Sequence, residues 1–122
     1  MLTAFSHAML YVHDVQRAAK WYADTLGFTV RALYGPHYGM LFHDQMNFEL
    51  HLHPTRNGDA TYISKGSVLY FTADDLDKTV ADLRGKGVKC EDPRSESGSP
   101  RFSSFTDCEG NVLGMTEKSA RR

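Results

Sequence analysis

HAMLYVHDVQRAAKWYADTLGF, residues 7 to 28, reads as a strand followed by a helix that begins after Asp14 and ends at Gly27. A second stretch, VLYFTADDLDKTVADLRGKGV at residues 68 to 88, has the same plan, with Asp75 in place of Asp14. The two aspartates are 61 residues apart, which is half of the 122-residue chain. An internal repeat of this length predicts two copies of one structural unit.

Each predicted helix carries signals at its ends and along one side. An aspartate before the first turn can accept a hydrogen bond from a free amide, and a glycine after the last turn can adopt the left-handed conformation. The apolar stripes consist of Val15, Ala18, Ala19, Tyr22 and Leu26 in the first helix and of Leu76, Val80 and Leu83 in the second. Each helix is therefore predicted to cover one face of a sheet.

Three further strand candidates follow each helix. They lie at 28–33, 38–42 and 47–52 in the first half and at 88–91, 101–107 and 111–117 in the second. The sequence thus predicts a single α+β domain over residues 1–122, built from two βαβββ modules at about 1–56 and about 66–118. The polar segments 55–66 and 93–100 are read as the linker and the longest internal loop, either plainly exposed or able to close over a cavity.

Composition narrows the function classes. Fourteen basic and fifteen acidic residues give a net charge of −1, so the chain lacks the excess of positive charge that is typical of proteins that bind nucleic acid. No run of about 18 apolar residues suggests a membrane span, and no leader is recognised, so we expect a soluble cytoplasmic protein. Cys90 and Cys108 lack metal-ligand spacing and are expected to be ordinary reduced thiols.

The stretch MNFELHLHP, residues 46 to 54, alternates polar and apolar side chains. On a strand, Asn47, Glu49, His51 and His53 therefore share one face, opposite Phe48, Leu50 and Leu52. A carboxylate facing a closed space needs a partner or solvent, and either His7 or His51 can supply the partner. His13, His37 and His43 lie near predicted turns, where we expect solvent contact.

The duplicated unit resembles the vicinal oxygen chelate superfamily through three elements: the opening HAMLYVHD at residue 7, the helix end WYADTLGF at residue 21, and the closing DCEGNVLGM at residue 107. That superfamily includes glyoxalase I, extradiol dioxygenases, fosfomycin-resistance transferases, epimerases and metal-free bleomycin-binding proteins. The resemblance covers nearly the whole chain. It implies the glyoxalase/bleomycin-resistance/dioxygenase fold, in which two modules form a curled mixed sheet around a cavity, and a homodimer.

The resemblance also implies where a divalent metal would bind. The family's four inward positions correspond here to His7, Glu49, Val68 and Gly114, with Glu49 and Gly114 expected to be counterparts. Valine and glycine offer no ligand atom, so the usual four-ligand site is absent. A reduced set of His7, Glu49 and His51 could hold iron, manganese, nickel or zinc, although a metal-free protein is equally compatible with the sequence.

Alternation predicts further residues that line the cavity and contact a small-molecule ligand: Met9, Tyr11, Tyr70, Thr72, Gly114 and Thr116. Three functions are compatible with this lining. One is a metal-assisted lyase, isomerase or dioxygenase with Glu49 as the base. The second is a metal-free protein that binds an antibiotic or aromatic metabolite, and the third is a degenerate module that serves only as a partner domain.

Overall fold

The computed structural model describes residues 1–55, 59–60, 62–96 and 98–118. Residues 56–58 and 61 of the predicted linker and residue 97 of the predicted loop lie outside this part of the chain. The chain divides into two compact units, Met1–Ile63 and Ser64–Arg122.

The first unit contains one helix and one four-stranded sheet. Its elements are β1 (Ala8–Val12), α1 (Val15–Leu26), β2 (Thr29–Leu33), β3 (Gly39–His43) and β4 (Phe48–Pro54). The sheet has the order β1-β4-β3-β2, in which β1 and β4 run parallel and the other neighbours run antiparallel.

The second unit has the same plan. Its elements are β5 (Tyr70–Ala73), α2 (Leu76–Gly85), β6 (Lys89–Cys90), β7 (Phe102–Thr106) and β8 (Val112–Glu117). The sheet order β5-β8-β7-β6 repeats that of the first unit, again with one parallel pair, β5 and β8. The predicted α+β architecture of two βαβββ modules is therefore confirmed.

Observed strands differ from the predicted ones by one or two residues at most ends, and β6 is the shortest. The Glu91 amide still donates to the Ser104 carbonyl at 2.9 Å, but Pro93 has no amide to continue the ladder. Pairing returns only as an isolated bridge between Arg94 and Phe102. The proline therefore limits β6 to two residues.

The predicted helix ends are confirmed in both units. Asp14 accepts a hydrogen bond from the Arg17 amide at 3.0 Å, and Asp75 accepts one from the Lys78 amide at 3.0 Å. Gly27 closes α1 in the left-handed conformation, with φ of 78°. In the second unit Gly85 is the last helical residue, and Gly87 takes the left-handed conformation with φ of 84°.

Each helix packs against one face of its own sheet. In the first unit Val12, Leu41, Leu50 and Leu52 are fully buried there, together with Tyr22 of α1. Burying one such leucine contributes roughly 1.5 to 3 kcal/mol to stability. The second unit buries Leu76, Val80 and Leu83 of α2 against Phe105, Leu113 and Met115. We call the opposite face of each sheet, which carries the alternate residues, its open face.

Strand register identifies which residues are equivalent in the two units. Met9 pairs with His51 across β1 and β4, and Tyr70, which lies 61 residues after Met9, pairs with Gly114 across β5 and β8. His51 is therefore the counterpart of Gly114, and the expected equivalence of Glu49 and Gly114 is wrong. The error arose because alternation fixes the face of a residue but not its position along the strand.

No helix in the described ranges combines the length and apolar character that crossing a bilayer requires.

Candidate functional site

The open face of the first sheet gathers the predicted polar residues of β4. Glu49, His51 and His53 alternate with Leu50 and Leu52, which are buried beneath the helix. The neighbouring strands flank His51 with Met9 on one side and Met40 on the other. The face predicted for Glu49 and His51 is thus the one they occupy.

His51 is the centre of a hydrogen-bonded chain on this face. Its Nδ1 lies 2.6 Å from the Tyr38 hydroxyl, and its Nε2 lies 3.3 Å from Glu49 Oε1. The His51 side chain is only 7% exposed, whereas that of Glu49 is 31% exposed. We refer to Tyr38, His51 and Glu49 as the His51 triad.

Tyr38 is a functional candidate that the sequence analysis missed. Partial burial, reinforced by the negative charge of Glu49, raises the pKa of its phenol above the ordinary value. The phenol therefore keeps its proton and can donate it in a hydrogen bond. Alternation along the predicted strand 38–42 could have placed Tyr38 on the same face as Met40, but it could not have shown that the hydroxyl reaches His51.

His7 covers the ring of His51. The two imidazole centroids are 3.7 Å apart and their planes are inclined by 16°, so the rings are stacked. The Nδ1 atom of His7 also lies 2.9 Å from the Ser6 hydroxyl. The sequence prediction that His7, Glu49 and His51 are neighbours agrees with this arrangement.

The donor set on the open face does not fit a divalent metal as it stands. A metal needs a lone pair from each imidazole and room for an ion between the ligands. Both nitrogens of His51 are already used by Tyr38 and Glu49, and the His7 ring stacks nearly parallel on His51, so the in-plane lone pairs of the two rings do not converge on one ion. Among the described residues, no group of three histidines, cysteines or acids is arranged to hold a metal.

The other predicted residues of the first open face have aromatic neighbours. Tyr11 contacts His53 at 5.5 Å and Tyr62 at 5.1 Å between ring centroids. Met9 lies beside them and is exposed. His53 is exposed at the strand end, and its Nδ1–H donates to the Pro54 carbonyl at 2.8 Å.

His43 differs from expectation, because it is half-buried and bonded on both sides of its ring. Its Nε2–H donates to the Leu26 carbonyl at 3.1 Å, and its Nδ1 accepts from the Met46 amide at 3.3 Å. The ring also contacts Phe28 edge-on. His43 therefore fastens the end of β3 to the end of α1.

On the open face of the second sheet, the ring of Tyr70 lies directly over Gly114. A Cβ atom added at Gly114 would overlap ring carbons of Tyr70, so only glycine leaves room for the ring in this position. The side chain of Tyr70 is nevertheless 56% exposed. One face of the ring therefore rests on the strand backbone while much of the side chain stays accessible.

Tyr70 also lines a cleft of about 330 Å³, which we call the Tyr70 cleft; its walls are Tyr70, Ser99, Pro100, Phe102, Thr116 and Glu117. Two of its walls come from the predicted loop 93–100. Thr116 and Tyr70 were predicted as ligand contacts, whereas Thr72, although exposed on β5, does not line this cleft. Phe102 pairs with Thr116 and was not predicted.

The protein is thus an α+β protein of two βαβββ units. The first sheet carries histidines and an acid on its open face, and the second carries an aromatic cleft. The chain belongs to the Glyoxalase/Bleomycin resistance protein/Dioxygenase superfamily, whose family model matches residues 4–115. The uncharacterized protein YraH of Bacillus subtilis (strain 168) is 29% identical over 115 residues, which cover 85% of this chain and 90% of that protein.

Solved structures share the fold. TnmS3, an antibiotic-binding protein from Streptomyces sp. CB03234, is 28% identical, with a TM-score of 0.69 over 97% of this chain and 100% of that one. A mutant of the fosfomycin resistance protein FosX from Listeria monocytogenes, solved with Mn(II) and 1S,2S-dihydroxypropylphosphonic acid, has a TM-score of 0.77 at 14% identity, over 99% of this chain and 94% of that one. At that identity the second likeness concerns the fold alone.

Proposed function

We propose that this protein binds a small planar organic molecule, such as an antibiotic or an aromatic metabolite, without the help of a metal ion. The observation that carries the proposal is the Tyr70 ring seated on Gly114 beside the Tyr70 cleft. A ring held against the backbone loses little freedom when a ligand stacks on it, and such preorganisation favours binding.

The size and composition of the Tyr70 cleft suit this role. Its volume of about 330 Å³ falls at the lower end of small-molecule sites, which span about 300 to 1,000 Å³. Stacked aromatic pairs add about 0.5 to 1.5 kcal/mol beyond the area they bury. Glu117 and Thr116 supply polar groups at the edge that can orient a ligand.

The likeness to TnmS3 supports the same ligand class, because that protein is described as antibiotic-binding and the similarity extends over nearly the full length of both chains. The donor set of the first open face supports a metal-free mode of binding, since the nitrogens of His51 are already engaged in hydrogen bonds.

The proposal is tested by a thermal-shift screen with a panel of planar aromatic antibiotics and natural products. A compound at 100 times its Kd should stabilise the protein by about 2.7 kcal/mol, which raises the melting temperature by several degrees. Tyr70→Ala and Gly114→Ala should each weaken a genuine hit about tenfold, the first by removing the ring and the second by displacing it.

Tyr34→Ala is the matched control, because Tyr34 is as exposed as Tyr70 but does not line the Tyr70 cleft. Hits that bind Tyr34→Ala normally and Tyr70→Ala weakly would support the proposal. Absence of any hit, or hits unaffected by either Tyr70→Ala or Gly114→Ala, would contradict it.

A second candidate is a metal-assisted lyase, isomerase or dioxygenase that uses Glu49 as the base. Its support is the clustering of His7, Glu49 and His51 on one open face. For a metal ion to bind His51, one of the two ring nitrogens would have to give up its hydrogen bond to Tyr38 or Glu49. Elemental analysis of protein purified without chelator separates the candidates: near-stoichiometric iron, manganese, nickel or zinc that is lost in Glu49→Gln would favour the enzyme.

We also propose a homodimer, as the resemblance implies, and a cytoplasmic location. Exposed apolar residues such as Met9, Val68 and Val112 are available for contact with a second copy. Light scattering coupled to size-exclusion chromatography should give twice the chain mass of 13.7 kDa, and a monomer across micromolar concentrations would contradict the dimer. Cell fractionation tests the location.

A further inference from the structure

Hydrogen bonding in the His51 triad selects the tautomer of the nearly buried His51 ring, that is, which ring nitrogen carries the proton. An ionised carboxylate can only accept hydrogen bonds, so Glu49 Oε1 requires a proton on Nε2 of His51. A neutral imidazole with a proton on Nε2 has its lone pair on Nδ1, and the Tyr38 hydroxyl at 2.6 Å donates to that lone pair. With a neutral His51 ring, each group in the chain thus has one compatible role.

Stacking holds the plane of the His51 ring. His7 lies against one face at 3.7 Å with nearly parallel planes, and Tyr38 meets the ring edge-on at 5.3 Å between centroids. Because the ring is also only 7% exposed, it has little freedom to rotate. The direction of the Nε2–H bond, and with it the place of the Glu49 carboxylate, is therefore set by the surrounding side chains.

Glu49 keeps acceptor capacity on the open face. Within the part of the chain that the structure describes, the hydrogen bond to its carboxylate comes from His51 and reaches Oε1. The side chain is 31% exposed, so the second oxygen is within reach of a molecule that approaches the sheet. A carboxylate accepts from O–H and N–H groups and repels anions.

We propose that Tyr38 and His51 are positioning residues, which hold Glu49 as the acceptor for an O–H or N–H group of a neutral or cationic organic ligand. In this arrangement hydrogen bonds, and not a metal ion, orient the acid. A site that accepts a ligand proton prefers that ligand to an analogue without the proton, and the preference is moderate here because Glu49 is partly exposed and water can replace the lost hydrogen bond. The ligand role rests on the proposed small-molecule binding, whereas the hydrogen-bond roles within the triad do not.

The hydrogen-bond roles are tested by long-range ¹H–¹⁵N NMR of the histidine rings, without any ligand, at pH 8. We expect His51 in the wild type to carry its proton on Nε2 alone. In Glu49→Gln the new amide can donate to Nε2, so the tautomer should shift toward the Nδ1–H form. In Tyr38→Phe the preference for Nε2–H should weaken, since Nδ1 loses its donor.

His43 is the internal control for folding. Its ring is fixed by two backbone groups, Leu26 O and Met46 N, neither of which is altered in the variants. The His43 signals should therefore keep the Nε2–H pattern in every variant. A doubly protonated His51 in the wild type, or a His51 tautomer that neither substitution changes, would overturn the positioning roles.

The ligand role is tested with phenol and its methyl ether, anisole, which differ only in the hydroxyl hydrogen. We expect phenol to shift the His51 and His7 ring signals with an apparent Kd at least about fivefold lower than that of anisole. This preference should disappear in Glu49→Leu, whose side chain has no hydrogen-bond acceptor, and persist in Tyr70→Ala. Equal effects of the two probes, or none, would overturn the acceptor role, while failure of the proposed aromatic cleft would be seen separately as indifference to Tyr70→Ala in the antibiotic screen.

Discussion

Asp107 organises the turn between β7 and β8 by satisfying backbone groups. Its Oδ1 accepts hydrogen bonds from the amides of Glu109 and Asn111, each at 2.8 Å, and its side chain is buried. Asn111 Oδ1 in turn accepts from the Ser64 amide at 2.8 Å. The D-x-x-G-N motif therefore shapes the turn between β7 and β8 through local hydrogen bonds, which is why it indicated the family without indicating a reaction.

Replacing Asp107 by alanine should strongly destabilise the protein. Two buried amides would lose their acceptor, and each unsatisfied group costs about 1 to 3 kcal/mol, so we expect a loss of about 3 kcal/mol in urea unfolding. Asp44→Ala is the matched control, since Asp44 occupies the corresponding turn of the first unit and is exposed. Equal losses in the two variants would contradict this account.

The sequence predicted the residues of the His51 triad unevenly. Alternation alone placed Glu49 and His51 on one face of β4, because successive side chains on a strand point in opposite directions. Tyr38 was not predicted because its partner, His51, lies 13 residues away on the neighbouring strand. The contact depends on how β3 and β4 are aligned. Pair contacts across strands require the register, which a single sequence does not contain.

The start of α2 is tied to the last strand by one arginine. Arg101 makes a two-pronged contact with Asp77 of α2, with distances of 3.2 and 2.7 Å, and its Nε lies 3.3 Å from Glu117 of β8. The arginine lowers the pKa of Asp77 below the ordinary value of 3.8. Helix and strand are thus linked by charges that the first unit does not share, because the residue 61 positions before Asp77 is the uncharged Gln16.

This link should make stability depend on pH in the acid range. A carboxyl with a lowered folded-state pKa stabilises the folded protein above its unfolded pKa, and the contribution is lost as pH falls through the folded value. Asp77→Asn should therefore be less stable than the wild type at pH 7, and the difference should vanish as pH falls below about 3.8 toward the folded-state pKa.

Asp74→Asn controls for the removal of one negative charge, because Asp74 is an exposed acid just before α2. Urea unfolding of the three proteins from pH 2.5 to pH 7 measures the effect. A difference for Asp77→Asn that does not change over this range would show that the Arg101 contact does not contribute through charge.

At the scale of the whole molecule, the 61-residue repeat predicted more than any motif. It predicted two units, each with one helix and four strands, since each copy must bury one helix stripe against one sheet. It did not predict how the copies diverge in chemistry. His51 lies under a histidine ring, and its counterpart Gly114 lies under a tyrosine ring, a difference that depends on side-chain packing rather than on periodicity.

The side chains at the expected metal-binding positions of the two units predict that the melting temperature of the whole chain does not depend on metal ions. Val68 offers no ligand atom, Gly114 is covered by Tyr70, and His51 is committed to Tyr38 and Glu49. Neither 1 mM EDTA nor excess Zn²⁺, Ni²⁺ or Mn²⁺ should therefore move the melting temperature, whereas an ion bound at 100 times its Kd would add about 2.7 kcal/mol. Exposed histidines could produce a weak shift of their own, and His37→Gln identifies that case. A metal-dependent rise that persists in His37→Gln and is abolished in Glu49→Gln would instead establish a metal site on the first open face.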